Sequence, residues 1–244
     1  MDAFDRTLII APHPDDESIA AGGLIQRAIA AGGDVRVVFV TDGENNPWPL
    51  RYLKKKLWVS DGDRAEWGAL RRIEARRGLT ALGVSPASTN FLGFPDAALT
   101  GMARAGDLRV RDALAAVIDD FEPSLVVLPS AFDLHADHRA ISWQAHAAAS
   151  GRKVVTYVIH GHAPHGRLAL RLDLSAEEIA RKRAAIECHQ SQLVLSRKRF
   201  LSFARSSEEF EQAEFDLAHL DSRLHEWSCS LKHALDVVAH SGGG

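Results

Sequence analysis

Residues 7–17 of the chain read TLIIAPHPDDE, and this stretch decides the fold. A short apolar run at 7–11 stops at the turn residues Pro12 and Pro14, and apolar residues then recur at helical spacing over 17–31 before a glycine pair. This order predicts a buried strand, a loop and a helix. The histidine and the acidic residues of the loop therefore follow the carboxyl end of the strand.

The same alternation of strand and helix continues along the chain. Apolar, β-branched runs predict strands, and segments of good helix formers predict helices, with Gly83 as a helix stop and Ser175 with Glu178 as a capping box. The further predicted strands span 35–40, 89–92, 124–128, 154–159 and 168–174, and the further predicted helices span 64–82, 110–121, 136–150 and 175–190. This alternation predicts an α/β fold, a doubly wound, mostly parallel, Rossmann-like sheet with helices on both faces.

The length of the chain predicts a single domain over residues 1–244. A chain of 244 residues buries a sizeable core, and no repeat or low-complexity linker marks a boundary. The composition of the last forty residues favours helix, so we expect a helical C-terminal segment that reaches to about residue 240.

The near-neutral net charge argues against partners that bind through the overall charge of the protein. The chain has 29 basic and 32 acidic residues and a formal charge of -3, which favours neither nucleic acid nor an anionic membrane. The first ten residues lack a secretory signal, and no apolar run approaches the roughly 18 residues of a spanning helix. We therefore expect a cytoplasmic protein that does not bind nucleic acid.

Three acidic side chains and one imidazole crowd into HPDDE, residues 13–17. Adjacent carboxylates repel one another unless a cation or hydrogen bonds compensate them. A metal ion supplies this compensation, and imidazole with carboxylate oxygen is a ligand set that suits zinc or ferrous iron. Capping of the following helix would explain the acids but not His13, so a metal site is the better interpretation.

A second motif rich in His and Asp, DLHADH at 133–138, follows the predicted strand 124–128. Ligands of doubly wound sheets bind outside the carboxyl ends of the strands. Either histidine alone is equally well explained as a surface residue, but the pair at this position predicts that both motifs meet at one site. The histidines of HGHAPH, residues 160–165, are instead expected in an irregular loop away from the chemistry, because Gly161 and Pro164 interrupt them.

Several stretches together resemble the LmbE/PIG-L-like family of de-N-acetylases. They cover about residues 7–193 and read APHPDDE, VTDGE, RRIEARRGLTALGV leading to FLGFPDAAL, PSAFDLHADHRA and KRAAIECHQSQ. The order and spacing of the two metal motifs match the family. The resemblance implies a metal-dependent hydrolase that removes the acetyl group from an N-acetylated amino sugar of the N-acetylglucosamine type.

The resemblance also implies one divalent metal ion, zinc first and ferrous iron as the alternative, with His13, Asp16 and His138 as its ligands. Asp15 becomes the general base. The physical chemistry agrees, because a three-ligand zinc site lowers the pKa of its water to about 7 and polarises a carbonyl. Asp15 is next to a ligand without being needed as one, so it is free to take the proton of the water.

Four further residues receive roles from the resemblance. His135 would stabilise the oxyanion or protonate the leaving amine, and Asp137 would orient an imidazole. Arg71 and Asp96 would contact the sugar or its aglycone. A helix-surface ion pair and a turn, respectively, explain Arg71 and Asp96 equally well.

Two other functions stay open at this point. The motifs indicate a metal-activated water more firmly than its target, so an O-acetyl ester or a phosphoester is the alternative substrate. Phosphoester chemistry favours a second metal about 4 Å away, and ligands are clear for one. The other alternative is a non-catalytic sugar-binding module, which would have no need of Asp15 beside a complete ligand set.

The segment 45–63, NNPWPLRYLKKKLWVSDGD, is long for a connection between a strand and a helix. Its apolar and basic residues favour an interfacial helix with peripheral membrane contact through residues 48–58, near anionic lipid or a lipid-linked saccharide. The apolar stripe would consist of Trp48, Leu50, Leu53 and Leu57 or Trp58, and the basic residues are Arg51, Lys54, Lys55 and Lys56. The alternative is a solvated basic face whose apolar side packs on the domain or on a second subunit. Because both interpretations of the segment are possible, the substrate is expected to be either a small-molecule or a lipid-linked amino sugar.

Overall fold

Seven strands form one sheet in the computed structural model, which describes residues 4–161 and 167–212. The strands are β1 Arg6–Ala11, β2 Asp34–Thr41, β3 Thr89–Phe94, β4 Leu125–Pro129, β5 Val154–Tyr157, β6 Arg167–Asp173 and β7 Ser207–Gln212. The helices are α1 Asp16–Ala30, α2 Pro47–Lys54, α3 Asp61–Leu82, α4 Leu99–Arg104, α5 Arg109–Phe121, α6 Ala136–Ala148, α7 Ala176–Glu187 and α8 Gln190–Leu201. A short 3-10 turn, Pro86–Ser88, precedes β3.

The strand order is β3-β2-β1-β4-β5-β7-β6. Strand β1 lies between β2 and β4 and is parallel to both, since Thr7 pairs with Val35 on one side and with Leu125 on the other. Strands β3 and β5 extend the parallel part, and β7 and β6 add an antiparallel edge. The predicted doubly wound, mostly parallel sheet is confirmed, and β1 marks the point where the strand order reverses.

Two hydrophobic cores cover the two faces of the sheet. Successive side chains of a strand point to opposite faces. In β1, Ile9 and Ala11 pack into the core beneath α1, α3 and α7, whereas Leu8 and Ile10 pack into the core beneath α4, α5 and α6. Because both faces are buried, β1 is apolar at every position from Leu8 to Ala11, and the polar chemistry begins directly after it.

The predicted helix boundaries rest on capping residues that the structure confirms. Ser175 and Glu178 form a reciprocal capping box at the start of α7, and Gly83 adopts a left-handed conformation (φ 92°) at the end of α3. A second capping box, which the sequence did not suggest, joins Ser60 and Asp63 at the start of α3. Helix α3 therefore begins three residues earlier than predicted.

The predicted helical C-terminal segment is wrong for Ser207–Gln212, which forms strand β7. Phe210 of this strand enters the core, and the buried carboxylate of Glu208 lies 2.6 Å from the Lys182 ammonium of α7. Residues 213–244 lie outside the described part of the chain, so the rest of that segment and the single-domain organisation stay predictions. In the described ranges no helix combines the length and apolarity needed to cross a membrane.

Candidate active site

The two His- and Asp-rich motifs meet at the carboxyl ends of β1 and β4. These strands are parallel neighbours, so the loops that follow them lie side by side. A cavity of about 470 Å³ opens there, within the size range of small-molecule sites. Its lining includes side chains from both motifs, from α2, α3 and α8, and from the loops beside them: His13, Asp15, Asp16, Asn46, Trp48, Arg71, Asp96, His135, His160, Gln192, Arg199 and Phe203.

The three predicted metal ligands converge on one carboxylate oxygen. His13 Nδ1 and His138 Nε2 each lie 3.2 Å from Asp16 Oδ2. Two donors about 2.0 Å from a tetrahedral ion lie about 3.3 Å from each other, so these separations suit two edges of such a site. All three side chains are buried, and His138 is wholly so.

Three ring nitrogens of the predicted histidine ligands lack a hydrogen-bond partner among the described residues. Both ring nitrogens of His138 and Nε2 of His13 are buried, and none has a partner with hydrogen-bond geometry within residues 4–161 and 167–212. Buried polar atoms without a partner are rare and call for an explanation. Three sets of side chains have ligand atoms within 4.8 Å of one another, namely His13, His135 and His138; Asp16, His138 and His160; and His13, Asp96 and Asp137. Each set includes one or two of the predicted ligands, and none of the three sets contains all of them. The described residues can therefore hold a divalent metal ion.

The Asp133 carboxylate lies on the Nδ1 side of the His138 ring, opposite the Nε2 atom that lies near Asp16. Its Oδ2 lies 3.2 Å from His138 Nδ1 and accepts a hydrogen bond from the Ile159 amide at 2.9 Å, and its Oδ1 accepts one from the His135 amide at 2.8 Å. Carboxylates in this position commonly orient a metal-bound imidazole. No role was predicted for Asp133, although it opens the motif that follows β4.

Asp137, the residue predicted to orient an imidazole, lies near the ring of His13. Its Oδ2 accepts a hydrogen bond from the Ala97 amide at 2.8 Å and is 3.6 Å from His13 Nε2. Ala97 has a left-handed backbone (φ 64°) beside Asp96. Asp137 thus fastens the start of α6 to this turn, and its orienting role stays a prediction.

Asp15 is buried in a strained loop. Its φ of 137° is far from the regions that L-residues prefer, and such a conformation costs on the order of 1–3 kcal/mol. The Asp15 amide donates a hydrogen bond to Glu17 Oε2 at 3.0 Å, and its Oδ1 lies 3.3 Å from Arg71 Nη2. Burial raises the pKa of Asp15 to about 6, although the Arg71 charge opposes this shift.

Arg71 extends from α3 under the HPDDE loop instead of lying on the helix surface. It donates hydrogen bonds to the carbonyls of Gly43 at 2.8 Å and Pro14 at 2.6 Å. Gly43 has a φ of 64°, and a Cβ there would stand 1.7 Å from Arg71 Nη1, so a larger residue would be strained and would displace the guanidinium. Arg71 lines the cavity and also fixes Asp15, and its contact with a substrate stays a prediction.

Asp96 lines the same cavity as Asp15. Its Oδ1 is 3.2 Å from His13 Nε2, and its Oδ2 accepts a hydrogen bond from the Asn45 amide at 2.8 Å. Burial would raise the pKa of Asp96, but the nearby His13 imidazole, mainly through its proximity and charge, outweighs burial and lowers this pKa to about 2. Asp96 is thus an anionic wall of the cavity, at the place where a substrate contact was predicted.

His135 is the N-cap of α6, and this position sets its tautomer. Its Nδ1 accepts a hydrogen bond from the Asp137 amide at 3.3 Å, so in the neutral ring the proton sits on Nε2. Burial, followed by the charges of His13 and His138, lowers the pKa of His135 to about 4. The ring is therefore a neutral donor near pH 7.

His160 lies in the site, contrary to the expectation for its loop. Its ring centroid is 5.3 Å from that of His135 and 5.2 Å from that of His138, and it lines the cavity. Its amide donates a hydrogen bond to Asp133 Oδ2 at 3.1 Å, which explains the placement. The other two histidines of the tract, His162 and His165, lie outside the described residues.

The fold and the site define an α/β protein with a cluster of His and Asp side chains that can hold a metal ion, at the switch point of a doubly wound sheet. The family model of the GlcNAc-PI de-N-acetylases (PIG-L) matches residues 8–149, more than half of the chain. The chain therefore belongs to this family, as the sequence motifs predicted.

Two relatives illustrate the family. A 1D-myo-inositol 2-acetamido-2-deoxy-alpha-D-glucopyranoside deacetylase from Mycobacterium sp. (strain KMS) is 35% identical over 147 residues, with 54% of this chain and 46% of the relative covered. A diacetylchitobiose deacetylase from Thermococcus kodakarensis is 30% identical over 157 residues, with 62% of this chain and 49% of the relative covered. The chain thus spans about half the length of the curated relatives it matches.

A solved structure shows the same fold. The N,N'-diacetylchitobiose deacetylase from Pyrococcus horikoshii superposes with a TM-score of 0.66 at 22% identity, covering 85% of this chain and 83% of that chain. At this identity the likeness extends to the fold alone.

Proposed function

We propose that this protein is a metal-dependent hydrolase that removes the acetyl group from an N-acetylated amino sugar of the N-acetylglucosamine type. The observation that carries the proposal is the position of His13 Nδ1 and His138 Nε2, each 3.2 Å from Asp16 Oδ2, next to a cavity that the buried carboxylate of Asp15 lines. The deacetylase names of the relatives support the choice of an N-acetyl group as the target.

We propose His13, Asp16 and His138 as the ligands of one zinc ion, with ferrous iron as the alternative. Two imidazoles and one carboxylate suit both ions and leave positions open for water and substrate. Such an ion, when bound, lowers the pKa of its water to about 7 and polarises the acetyl carbonyl. Asp133 holds the ring of His138 from behind.

Asp15 is the general base in this proposal. Its raised pKa of about 6 makes it a stronger base than an ordinary aspartate while it stays largely ionised at neutral pH. The bond between Arg71 and Asp15 Oδ1 leaves Oδ2 to accept the proton of the attacking water. The proton then passes to the leaving amine.

His135 stabilises the negative charge that develops on the carbonyl oxygen in this proposal. Because its Nδ1 accepts the Asp137 amide, its Nε2–H is the group left to donate a hydrogen bond to the carbonyl oxygen as negative charge develops there. Its low pKa favours this donor role over protonation of the amine. The volume of the cavity admits more than one sugar ring. Asp96 and Arg71 line this cavity, and we assign them to the positioning of the substrate.

Acetate release tests the proposal directly. The purified protein, with zinc or ferrous iron supplied, is incubated with N-acetylglucosamine, its inositol glycoside and diacetylchitobiose, and free acetate and free amine are measured. We expect both products in equal amounts from at least one substrate, and none from His138→Ala. Absence of acetate from every N-acetylhexosamine derivative would contradict the proposal.

The same assay separates the alternative functions. Turnover of an O-acetylated sugar or of p-nitrophenyl phosphate without turnover of any N-acetyl sugar would favour an esterase or a phosphoesterase. Binding of N-acetyl sugars without release of acetate would favour a sugar-binding module.

We further propose that residues 48–58 contact an anionic lipid surface beside the cavity. Helix α2 lies in this segment, and Trp48 lines the cavity while Leu57 and Trp58 are 84% and 87% exposed. Aromatic and leucine side chains next to lysines are typical of interfacial segments. Leu50 does not belong to the proposed stripe, because it is buried.

The lysines are a poorer probe of this surface than the apolar residues. Lys54 and Lys56 bind the Asp63 carboxylate at 3.2 and 2.8 Å, so their removal would also disturb the start of α3. The better variant replaces Leu57 and Trp58 with Ser, and Leu168→Ser, on strand β6, is the matched control for loss of an exposed apolar side chain. We expect only the double variant to lose sedimentation with anionic vesicles, while turnover of a soluble substrate is unchanged. Equal sedimentation of all three proteins would contradict lipid contact and favour a solvated face.

A further inference from the structure

The motif KRAAIECHQSQ, residues 182–192, contributes a buried histidine next to the active site. His189 lies between α7 and α8 and is 1% exposed. Its Nε2 is 3.3 Å from Glu17 Oε1 and 3.5 Å from Ser18 Oγ. A Cβ at Gly78 of α3 would stand 3.0 Å from the same nitrogen, so α3 packs closely against the ring.

Glu17 connects His189 to the proposed general base. Its carboxylate is completely buried, and the two oxygens have separate partners. Oε1 accepts the Ser18 hydroxyl at 2.7 Å and faces His189, whereas Oε2 accepts the amide of Asp15 at 3.0 Å. The amide that Glu17 holds thus belongs to the residue with the strained φ of 137°.

Helix α3 fixes both ends of this arrangement. Its Glu74 accepts hydrogen bonds from the Ser191 amide at 2.8 Å and the Ser191 hydroxyl at 2.5 Å, which anchors the segment that carries His189. Its Arg71, one turn away, lies 3.3 Å from the Asp15 carboxylate. Asp15 is therefore held at its backbone from the His189 side and at its side chain from α3.

We propose that Glu17 and His189 are positioning residues for Asp15, an inference that rests on the proposed deacetylase function. A buried carboxylate needs a charged or hydrogen-bonding partner in place. His189 supplies this partner, so that Glu17 Oε2 stays directed at the Asp15 amide and keeps the peptide in its unfavourable conformation. The Asp15 carboxylate then points into the cavity beside the metal ligands. Without His189, Glu17 turns to other donors and the peptide of Asp15 relaxes.

Kinetics of His189→Leu test the proposal. We expect kcat to fall about 100-fold, the loss typical of a misplacement of about 1 Å, while KM and metal content change less than about threefold. His189→Gln retains an N–H donor and should recover at least part of kcat, and Glu17→Gln should resemble His189→Leu. The matched control is Lys182→Met, which breaks a second buried ion pair, between Lys182 of α7 and Glu208 of β7, neither of which lines the active-site cavity.

The control separates positioning from stability. We expect Lys182→Met to lower Tm as His189→Leu does while kcat stays within about threefold of the original protein. A fall in kcat that simply follows Tm in both variants would overturn the proposal, as would an unchanged kcat in His189→Leu. If His189→Leu does not fold, His189→Gln and Glu17→Gln decide between these outcomes.

A crystal structure of the variant gives a result that does not depend on activity. In His189→Leu, or in His189→Gln if the former does not fold, we expect Asp15 to leave positive φ and its amide to move more than about 3.5 Å from the Glu17 carboxylate. An unchanged Asp15 would overturn the inference. If no variant or original protein releases acetate, the proposed function fails, but this structural comparison still decides whether the pair holds Asp15.

Discussion

Replacement of Asp15 by Asn separates catalysis from metal binding. The amide has nearly the volume of the carboxylate but accepts no proton. Arg71, which lies 3.3 Å from Asp15 Oδ1, keeps its hydrogen bonds to the carbonyls of Gly43 and Pro14. The loop should therefore keep its shape, because Arg71 retains two acceptors.

The expected losses differ for activity and stability. A general base contributes about 10²–10⁴-fold to the rate, which corresponds to about 3–5 kcal/mol of transition-state stabilisation. Breaking a buried ion pair typically costs about 3–5 kcal/mol of stability. The loss of folding stability should be smaller in Asp15→Asn, because Arg71 keeps its two hydrogen bonds. In addition, burial already disfavours the charged form of Asp15, as the raised pKa of this carboxyl shows.

The assay combines metal analysis with steady-state kinetics. Asp15→Asn should hold about one metal per chain and lose kcat with little change in KM. Asp16→Asn should hold metal more weakly, because an amide oxygen lacks the carboxylate charge, and excess metal should restore part of the rate. Loss of metal from Asp15→Asn but not from Asp16→Asn would exchange the two roles. Near-normal turnover of Asp15→Asn would refute Asp15 as the base.

Three further outcomes follow from the geometry. Asp133→Asn should weaken metal affinity about 10- to 100-fold in a chelator competition, and unchanged affinity would argue against its orienting role. Gly43→Ala should lower kcat/KM at least about tenfold, because the new Cβ would overlap Arg71, whereas Gly101→Ala, with no atom within 4 Å, should not. Burial lowers the pKa of His189, but its carboxylate partner outweighs burial and raises it, so the stability from this pair is complete below pH about 6.5 and is lost as pH rises through the folded-state pKa. The difference in Tm between the original protein and His189→Gln should therefore shrink at alkaline pH, and a constant difference would contradict this linkage.

The parallel part of the fold was predictable because its signals are local. The apolar runs at β1 and β4 are buried at almost every position, and Ser175 with Gly83 marks helix ends through caps that need no tertiary context. Strand β7, SEEFEQ, has no such signal. Its buried Glu208 is paired with Lys182 and accepts hydrogen bonds from the amides of Gly23 and Leu24, contacts that the sequence of the strand alone does not contain.

The candidate site shows the same division. The convergence of HPDDE and DLHADH followed from the rule that ligands bind at the carboxyl ends of parallel strands. The roles of Asp133 and His160 did not follow, because they depend on which ring faces which carboxylate after β4 and β5 pair. Arg71 was expected at the substrate, but the glycine carbonyl that holds it under Asp15 is visible only in three dimensions.

The adjacency of β1 and β4 also constrains the order of events during folding. The Arg6 amide at the start of β1 donates to the Ser124 hydroxyl just before β4, 118 residues away in sequence. Contacts of such long separation form late, because closing the intervening chain costs entropy first. On the proposed ligand assignment, His13 and Asp16 meet His138 only once this pairing exists. Metal uptake should then track completion of the parallel sheet during refolding, and a metal that binds only the folded state would protect against unfolding by about 2.7 kcal/mol at a hundredfold excess over its Kd.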